Sequence, residues 1–226
     1  KVHINNNKNW DIIKKLQDEF KPIFRRMPWE DKIKISYCLI DMNDISRMFL
    51  TDDIDEIHTQ FLSMDKAMFE HDNLPEFWEK FLEIRQQGYD SDTVEVDFND
   101  MIYLPVLKEL YILIQPYYLM VDEAQDLNLC QHKLIDKLID QGTIKKWIAV
   151  GDRNQSIYGF SGAYSSSFDL FKDRGNVIEL PLDICYRCST SILDKANEVY
   201  DVVEYCTTNQ GVVGYTSNVE DRNLKL

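Results

Sequence analysis

Tyr117-Tyr118-Leu119-Met120-Val121-Asp122-Glu123-Ala124-Gln125-Asp126 decides the reading of the fold, because a short apolar run ends abruptly on two adjacent carboxylates. Five consecutive apolar or aromatic residues, preceded by Pro116 and followed by charge, read as a buried strand. Downstream, Leu134, Ile135, Leu138 and Ile139 recur at helical spacing, and Gly142 is placed to end that helix. A second apolar run, Trp147 to Val150, follows, and a third lies at Val177 to Leu180. Strand, helix, strand in this order predicts a β-α-β crossover and therefore a parallel sheet. In such sheets ligands gather at the carboxyl ends of the strands, where Asp122 and Glu123 stand. One carboxylate there can hold Mg²⁺, usually through its waters, while the next orients and deprotonates a water for attack on a γ-phosphate. Asp122 suits the first role and Glu123 the second. The plainer alternative is an acidic strand-to-helix turn in which Asp126 or Asn128 caps the following helix.

Upstream the pattern is different. From Trp10 to about Gln87 the apolar residues follow helical periodicity, with Trp10, Ile13, Leu16 and Phe20 on one stripe and Phe77, Trp78, Phe81 and Leu82 on another. Pro22 should end or kink the first helix, and Pro28 suits the first turn of the next. Asn73 with Pro75 reads as the cap and first turn of a helix closed by Gly88. Gln87 to Val96 reads as a polar connector, after which Asp97 and Asp100 have the spacing of a helix cap and its third residue.

The carboxylate pair has company. Some twenty-five residues on, Val150-Gly151-Asp152-Arg153-Asn154-Gln155-Ser156-Ile157-Tyr158-Gly159-Phe160-Ser161-Gly162-Ala163 leaves the end of the next strand, and Leu182-Asp183-Ile184-Cys185-Tyr186-Arg187-Cys188-Ser189 follows. Together the three segments resemble the UvrD/Rep-type superfamily 1 DNA helicases. The first is similar to that family's DExQD form of the Walker B motif, the second to its GDxxQSIYxWRGA segment, and the third to its LxxNYRS segment at the start of the second RecA-like domain. The resemblance covers roughly residues 97–200, and the order and spacing agree. The helical N-terminal half resembles the accessory domain these helicases insert before the Walker B strand, by position and helicity.

The resemblance implies an ATPase that uses ATP and Mg²⁺ and acts on single-stranded or duplex DNA, with 3′ to 5′ polarity. It assigns Mg²⁺ to Asp122 and water activation to Glu123, as the residues themselves suggest. Gln155 would sense the γ-phosphate. Tyr158 and Phe160 would line the single-strand groove, where an aromatic face stacks on any base. Tyr186 would stack on adenine, and Arg187 would reach the γ-phosphate across the domain cleft, where charge builds in the transition state. Each has an ordinary alternative: aromatics beside glycines often only pack, and an arginine near Asp183 or Asp194 often only pairs with it.

The chain also departs from the family pattern. Phe160 stands where the family has Trp, which keeps the stacking face and loses the indole N–H. Ser161 stands where it has Arg, which removes a positive charge and a bidentate fork. Cys185 and Cys188 replace the family's Asn and Ser; the Cys-x-x-Cys spacing this creates lacks a second paired spacing and reads as incidental, not as a zinc site. No glycine is followed by lysine, so the G-x-x-x-x-G-K-[ST] phosphate loop is missing from these 226 residues. With a first residue that is Lys1 rather than Met, the expectation is a fragment of a longer protein that hydrolyses ATP poorly or not at all by itself.

Composition bounds the rest. With 44% hydrophobic and 12% aromatic residues the chain can bury a substantial core. It has no apolar run of eighteen residues, and the segment from Lys1 to Asn9 is polar, so neither a membrane span nor a secretory signal is visible and the cytoplasm is the expected location. Five cysteines, an odd number at irregular spacing, suit reduced thiols. A formal net charge of −14 argues against an extended basic surface, so any DNA contact must be local. The expected architecture is α/β: a mainly helical accessory domain (1–95), the latter part of a RecA-like, P-loop NTPase-type domain (96–175) and the opening of a second RecA-like domain (176–226). Two other functions share these segments, the motor part of an ATP-dependent helicase-nuclease and a non-hydrolysing scaffold that binds a partner.

Overall fold

Helix periodicity in the first ninety residues translates directly into packing. The computed structural model describes residues 1–113, 117–142, 144–152, 167–175 and 177–180, together with Ile192. Five helices come early: α1 (Lys8–Glu19), α2 (Lys21–Arg26), α3 (Trp29–Phe49), α4 (Ile54–Ser63) and α5 (Leu74–Tyr89). Their apolar stripes converge on one core in which Ile13, Leu16, Ile35, Leu39, Met42, Ile57, Phe77 and Phe81 are buried. Phe77 is wedged between Phe20, edge-on, and Phe24, stacked. Trp10, expected on the inner stripe, sits at its rim, half exposed with its ring edge against Tyr37.

Two helix boundaries fall at prolines, as backbone chemistry predicts. α1 stops at Glu19 and Pro22 occupies the first turn of α2. Pro28 is the residue that caps α3, one position before its first turn. Gly88 does not close α5: the helix continues to Tyr89, whose ring is buried and whose hydroxyl reaches Asp100 at 2.5 Å. That buried contact outweighs glycine's preference for a helix end.

Two small parallel sheets complete the described chain. β1 (Val2–Ile4) pairs with β2 (Val94–Val96) in the register Val2 to Val94. Neither strand was expected, because three residues carry no readable periodicity. α6 (Phe98–Leu107) follows at once, opened by the expected reciprocal cap between Asp97 and Asp100. β3 (Tyr118–Val121) and β4 (Lys146–Ala149) form the second sheet, joined by α7 (Leu129–Asp140), and α8 (Ser167–Asp173) comes later. α7 ends as predicted near Gly142, which takes the left-handed φ of +71° that glycine tolerates.

The strands differ from expectation in one respect. Leu119, Val121, Trp147 and Ala149 face a cluster with Ala124, Ile135, Phe168 and Phe171, whereas Tyr118, Met120 and Ile148 are exposed on the other face. The sheet is covered on one side among the described residues, so its residues alternate instead of being buried throughout. Val177–Leu180 forms no strand among the described residues and its apolar side chains are exposed.

The chain divides into two units, 1–175 and 176–226. In the first, Tyr89, Val96, Tyr103, Leu104 and Cys130 form a second cluster linking α5, β2, α6 and α7. Cys38 and Cys130 are buried free thiols, and burial pushes both up to about 11. No helix among the described residues is long and apolar enough to cross a membrane.

Candidate active site

β3 and β4 are paired in parallel, Val121 opposite Ala149, so the chain leaves both strands at the same edge of the sheet. The two strand exits meet there: Asp122 and Glu123 after β3, Gly151 and Asp152 after β4. The ladder continues into the turn, with the Val150 amide donating to the Val121 carbonyl at 2.8 Å and the Ala124 amide donating to the Val150 carbonyl at 2.9 Å. The chain then winds into a short 3₁₀ turn, Ala124–Asp126.

Glu123 sits in the left-handed backbone region, with φ +48° and ψ +47°. For a residue with a β-carbon this costs roughly 1–2 kcal/mol, and it persists only where the surroundings hold it. Here they do. The Glu123 amide donates to Asp122 Oδ1 at 3.0 Å, and the Asp126 amide donates to the Glu123 carbonyl at 2.9 Å. Gln125 Nε2 donates to Glu123 Oε2 at 2.7 Å, while Gln125 Oε1 accepts the Asp152 amide at 3.1 Å. The buried Gln125 side chain therefore ties the Glu123 carboxylate to the segment leaving β4.

This crowding explains a glycine. A β-carbon at position 151 would stand 2.2 Å from Gln125 Oε1 and 2.9 Å from the Ala124 nitrogen. Only glycine allows the two strand ends to approach so closely.

The acidic residues differ in environment. Asp122 and Glu123 are exposed. Asp126 is partly buried, its Oδ1 has no hydrogen-bond partner among the described residues, and burial, aided by the negative charge of Glu123, raises its carboxyl above the ordinary range. The capping role belongs to Asn128: its Oδ1 accepts the Gln131 amide at 2.9 Å and its own amide donates to Gln131 Oε1 at 2.9 Å. α7 is thus capped without using Asp122 or Glu123, which remain available at the strand end. Among the described residues no group of three His, Cys, Asp or Glu could hold a metal ion. An exposed carboxylate with oxygen donors only fits Mg²⁺, which keeps several waters and shares itself with phosphate oxygens.

Of the residues singled out in the sequence, Asp122 and Glu123 are the two the structure brings together. Gln155, Tyr158, Phe160, Tyr186 and Arg187, with Ser161, Cys185 and Cys188, lie outside the described residues. Sequence reasoning missed Gln125, although it stands inside the first quoted segment. It also passed over His132 and Ser167, which are buried against the turn: Ser167 Oγ donates to the Ala124 carbonyl at 2.5 Å and contacts His132 Nε2 at 2.7 Å. No spacing rule connects positions 35 residues apart.

Residues 2–175 match the family described as UvrD/REP helicase N-terminal domain, and the chain belongs to it. Among individual proteins it is 38% identical over 112 residues to the ATP-dependent DNA helicase Rep of Buchnera aphidicola subsp. Acyrthosiphon pisum (strain APS), covering 46% of this chain and 17% of that protein. It is 37% identical over 112 residues to the ATP-dependent DNA helicase PcrA of Leuconostoc citreum, covering 46% of this chain and 15% of that one. With ATP-dependent DNA helicase Rep of Escherichia coli (strain K12) the identity is 35% over 112 residues, 45% of this chain and 16% of the relative. The chain thus spans less than a fifth of the length of these three relatives.

Proposed function

We propose that this chain is the part of an ATP-driven DNA helicase that carries the water-activating carboxylate and the link from nucleotide to DNA. The observation that carries the reading is the Gln125 bridge, which joins Glu123 Oε2 to the Asp152 amide and so connects the two segments the family uses for hydrolysis and coupling. The names of the relatives, ATP-dependent DNA helicases, support it. In this reading β3, α7 and β4 belong to a RecA-like domain covering 96–175, residues 1–95 form a helical accessory domain, and 176–226 open a second RecA-like domain.

Glu123 acts as general base: it accepts a proton from the water whose oxygen attacks the γ-phosphorus as the bond to the β–γ bridging oxygen breaks. Asp122 would hold Mg²⁺, which when bound would supply positive charge to offset that of the phosphate oxygens. Gln155 reports the γ-phosphate, Arg187 stabilises the charge that builds on it, and Tyr186 stacks on adenine. Tyr158 and Phe160 stack on single-stranded bases, and translocation runs 3′ to 5′. The protein acts on DNA in the cytoplasm.

The test is ATP hydrolysis by the full-length protein with and without single-stranded DNA, using Glu123→Gln as control. Hydrolysis stimulated by DNA and abolished by the substitution is the expected result. Hydrolysis unaffected by Glu123→Gln would overturn the assignment of the base, and no hydrolysis at all would favour a scaffold.

A further inference from the structure

Ala124 is the residue that immediately follows the strained Glu123, and both of its backbone polar groups are engaged. Its amide goes to Val150 and its carbonyl accepts from Ser167 Oγ. The serine hydroxyl has one proton, and a carbonyl can only accept, so that proton lies on the Ala124 side. Ser167 Oγ must then accept from His132 Nε2, 2.7 Å away, which therefore carries the ring proton. The other ring nitrogen, Nδ1, is left as an acceptor and faces Arg174 NH2 at 3.2 Å, a group that only donates. The direction of every bond is thus determined: Arg174 to His132 to Ser167 to the Ala124 carbonyl. The histidine and the serine are buried, with 1% and 2% of their surface exposed.

The far end of the chain is anchored. Arg174 Nε donates to Asp136 Oδ1 at 2.8 Å, NH1 donates to the Leu170 carbonyl at 3.2 Å, and NH2 also reaches the His132 carbonyl at 3.2 Å. Its guanidinium lies 4.6 Å from the Phe171 ring centre, and the His132 ring packs edge-on to the same ring at 5.0 Å. α7 and α8 therefore hold the relay rigidly and present its last hydroxyl to one carbonyl.

We infer that Arg174, His132 and Ser167 form a positioning relay for Glu123, holding the peptide after Ala124 so that the glutamate keeps its left-handed backbone and its carboxylate keeps its place. The inference rests on the reading of Glu123 as the general base. Its physical logic is that a left-handed glutamate relaxes unless the groups around it are tied, and the Ala124 carbonyl is one of those groups. Without the serine that carbonyl lacks its partner, the turn relaxes, and a base displaced by a fraction of an ångström loses efficiency in the transition state rather than affinity in the ground state. None of the three residues touches the reacting atoms in this scheme; they act through the turn.

The experiment measures kcat and KM for ATP in the full-length protein with saturating single-stranded DNA, for Ser167→Ala, His132→Phe, His132→Gln and, as control, Glu123→Gln. Phenylalanine keeps the packing against Phe171 and removes the donor, whereas the glutamine amide can still donate where Nε2 does. The expected result is a fall in kcat of about 10- to 100-fold in Ser167→Ala and His132→Phe with KM within about twofold, and recovery of most of kcat in His132→Gln. Equal kcat in His132→Phe and His132→Gln would overturn the relay, and this comparison stands even if Ser167→Ala fails to fold. So would a rise in KM with kcat unchanged. If Glu123→Gln abolishes hydrolysis while the relay variants match the wild type, the relay alone is wrong; if Glu123→Gln hydrolyses normally, the assignment of the base is wrong.

Discussion

The Lys8 ammonium stands 2.5 Å from the Asp100 carboxylate, ninety-two positions away in sequence, with both side chains sealed from solvent. Asp100 also accepts from Arg47 NH1 at 2.9 Å, from the Tyr89 hydroxyl at 2.5 Å and from the Asp97 amide at 3.1 Å. Arg47 in turn holds both oxygens of Asp97, at 2.7 and 2.8 Å. Burial alone would raise the Asp100 carboxyl, but the hydrogen bonds from Lys8 and Tyr89 and the charge of Arg47 outweigh it and hold the group below its ordinary value. The cap of α6 is thus woven into an ion-pair network that gathers α1, α3 and α5, which makes the start of α6 a fixed point where β2 leaves the first sheet.

Removing the charge of Asp100 should therefore be costly. Asp100→Asn leaves the buried Lys8 ammonium without its carboxylate partner and removes one of the three carboxylates around Arg47, which keeps Asp97 and Asp44; a loss of about 3–5 kcal/mol in unfolding free energy is expected. Chemical denaturation measures it, and a loss below about 1 kcal/mol would show that the network is worth no more than a surface pair.

Gly151→Ala should disturb the site through sterics alone. The added methyl meets Gln125 Oε1 and the Ala124 nitrogen, and backbone cannot swing aside as a side chain can. The expected cost is about 1–3 kcal/mol of stability, with hydrolysis by the full-length protein reduced more than nucleotide affinity. Thermal denaturation and nucleotide titration separate the two effects.

His132 predicts a pH dependence with a definite sign. Burial, helped by the Arg174 charge and opposed by Asp136, lowers its folded-state value from 6.5 to about 4. The unfolded chain binds the extra proton first, so the histidine's contribution to stability is fully present above pH 6.5 and is lost as the pH falls from 6.5 toward 4. The loss is on the order of 3 kcal/mol. Denaturation midpoints of wild type and His132→Gln should converge over that window as the pH is lowered, the variant lacking this component of the slope.

Asp122→Asn should separate metal dependence from base chemistry. With one anionic oxygen donor lost, hydrolysis by the full-length protein should need about tenfold more Mg²⁺ for half-maximal rate, whereas Glu123→Gln should lower the rate at every Mg²⁺ concentration. A Mg²⁺ titration of ATP hydrolysis distinguishes the two, and an unchanged Mg²⁺ requirement in Asp122→Asn would remove the metal role from that residue.

Much of this was legible in advance because local chemistry carried it. The stripes through Ile13 and Leu16 and through Phe77 and Phe81, the Asp97–Asp100 cap, the break at Pro22 and the strand–helix–strand unit from Tyr118 to Ala149 all depend on periods of 2 or 3.6 residues or on one special side chain. The short β1 and β2 strands had no such signal, and the continuation of α5 through Gly88 depended on a contact between Tyr89 and Asp100 that no local pattern contains.

By itself the sequence determined the residue chemistry at the candidate site, two adjacent carboxylates at a strand end, and the family to which that pattern belongs. Only the tertiary structure decided what holds Glu123 in place: Gln125 reaching Asp152, and Ser167 with His132 closing on the Ala124 carbonyl. A hydrogen bond has strict requirements of distance and angle but none of sequence separation, so partners 27, 35 and 43 positions apart become visible only when the strands and helices that bear them have packed.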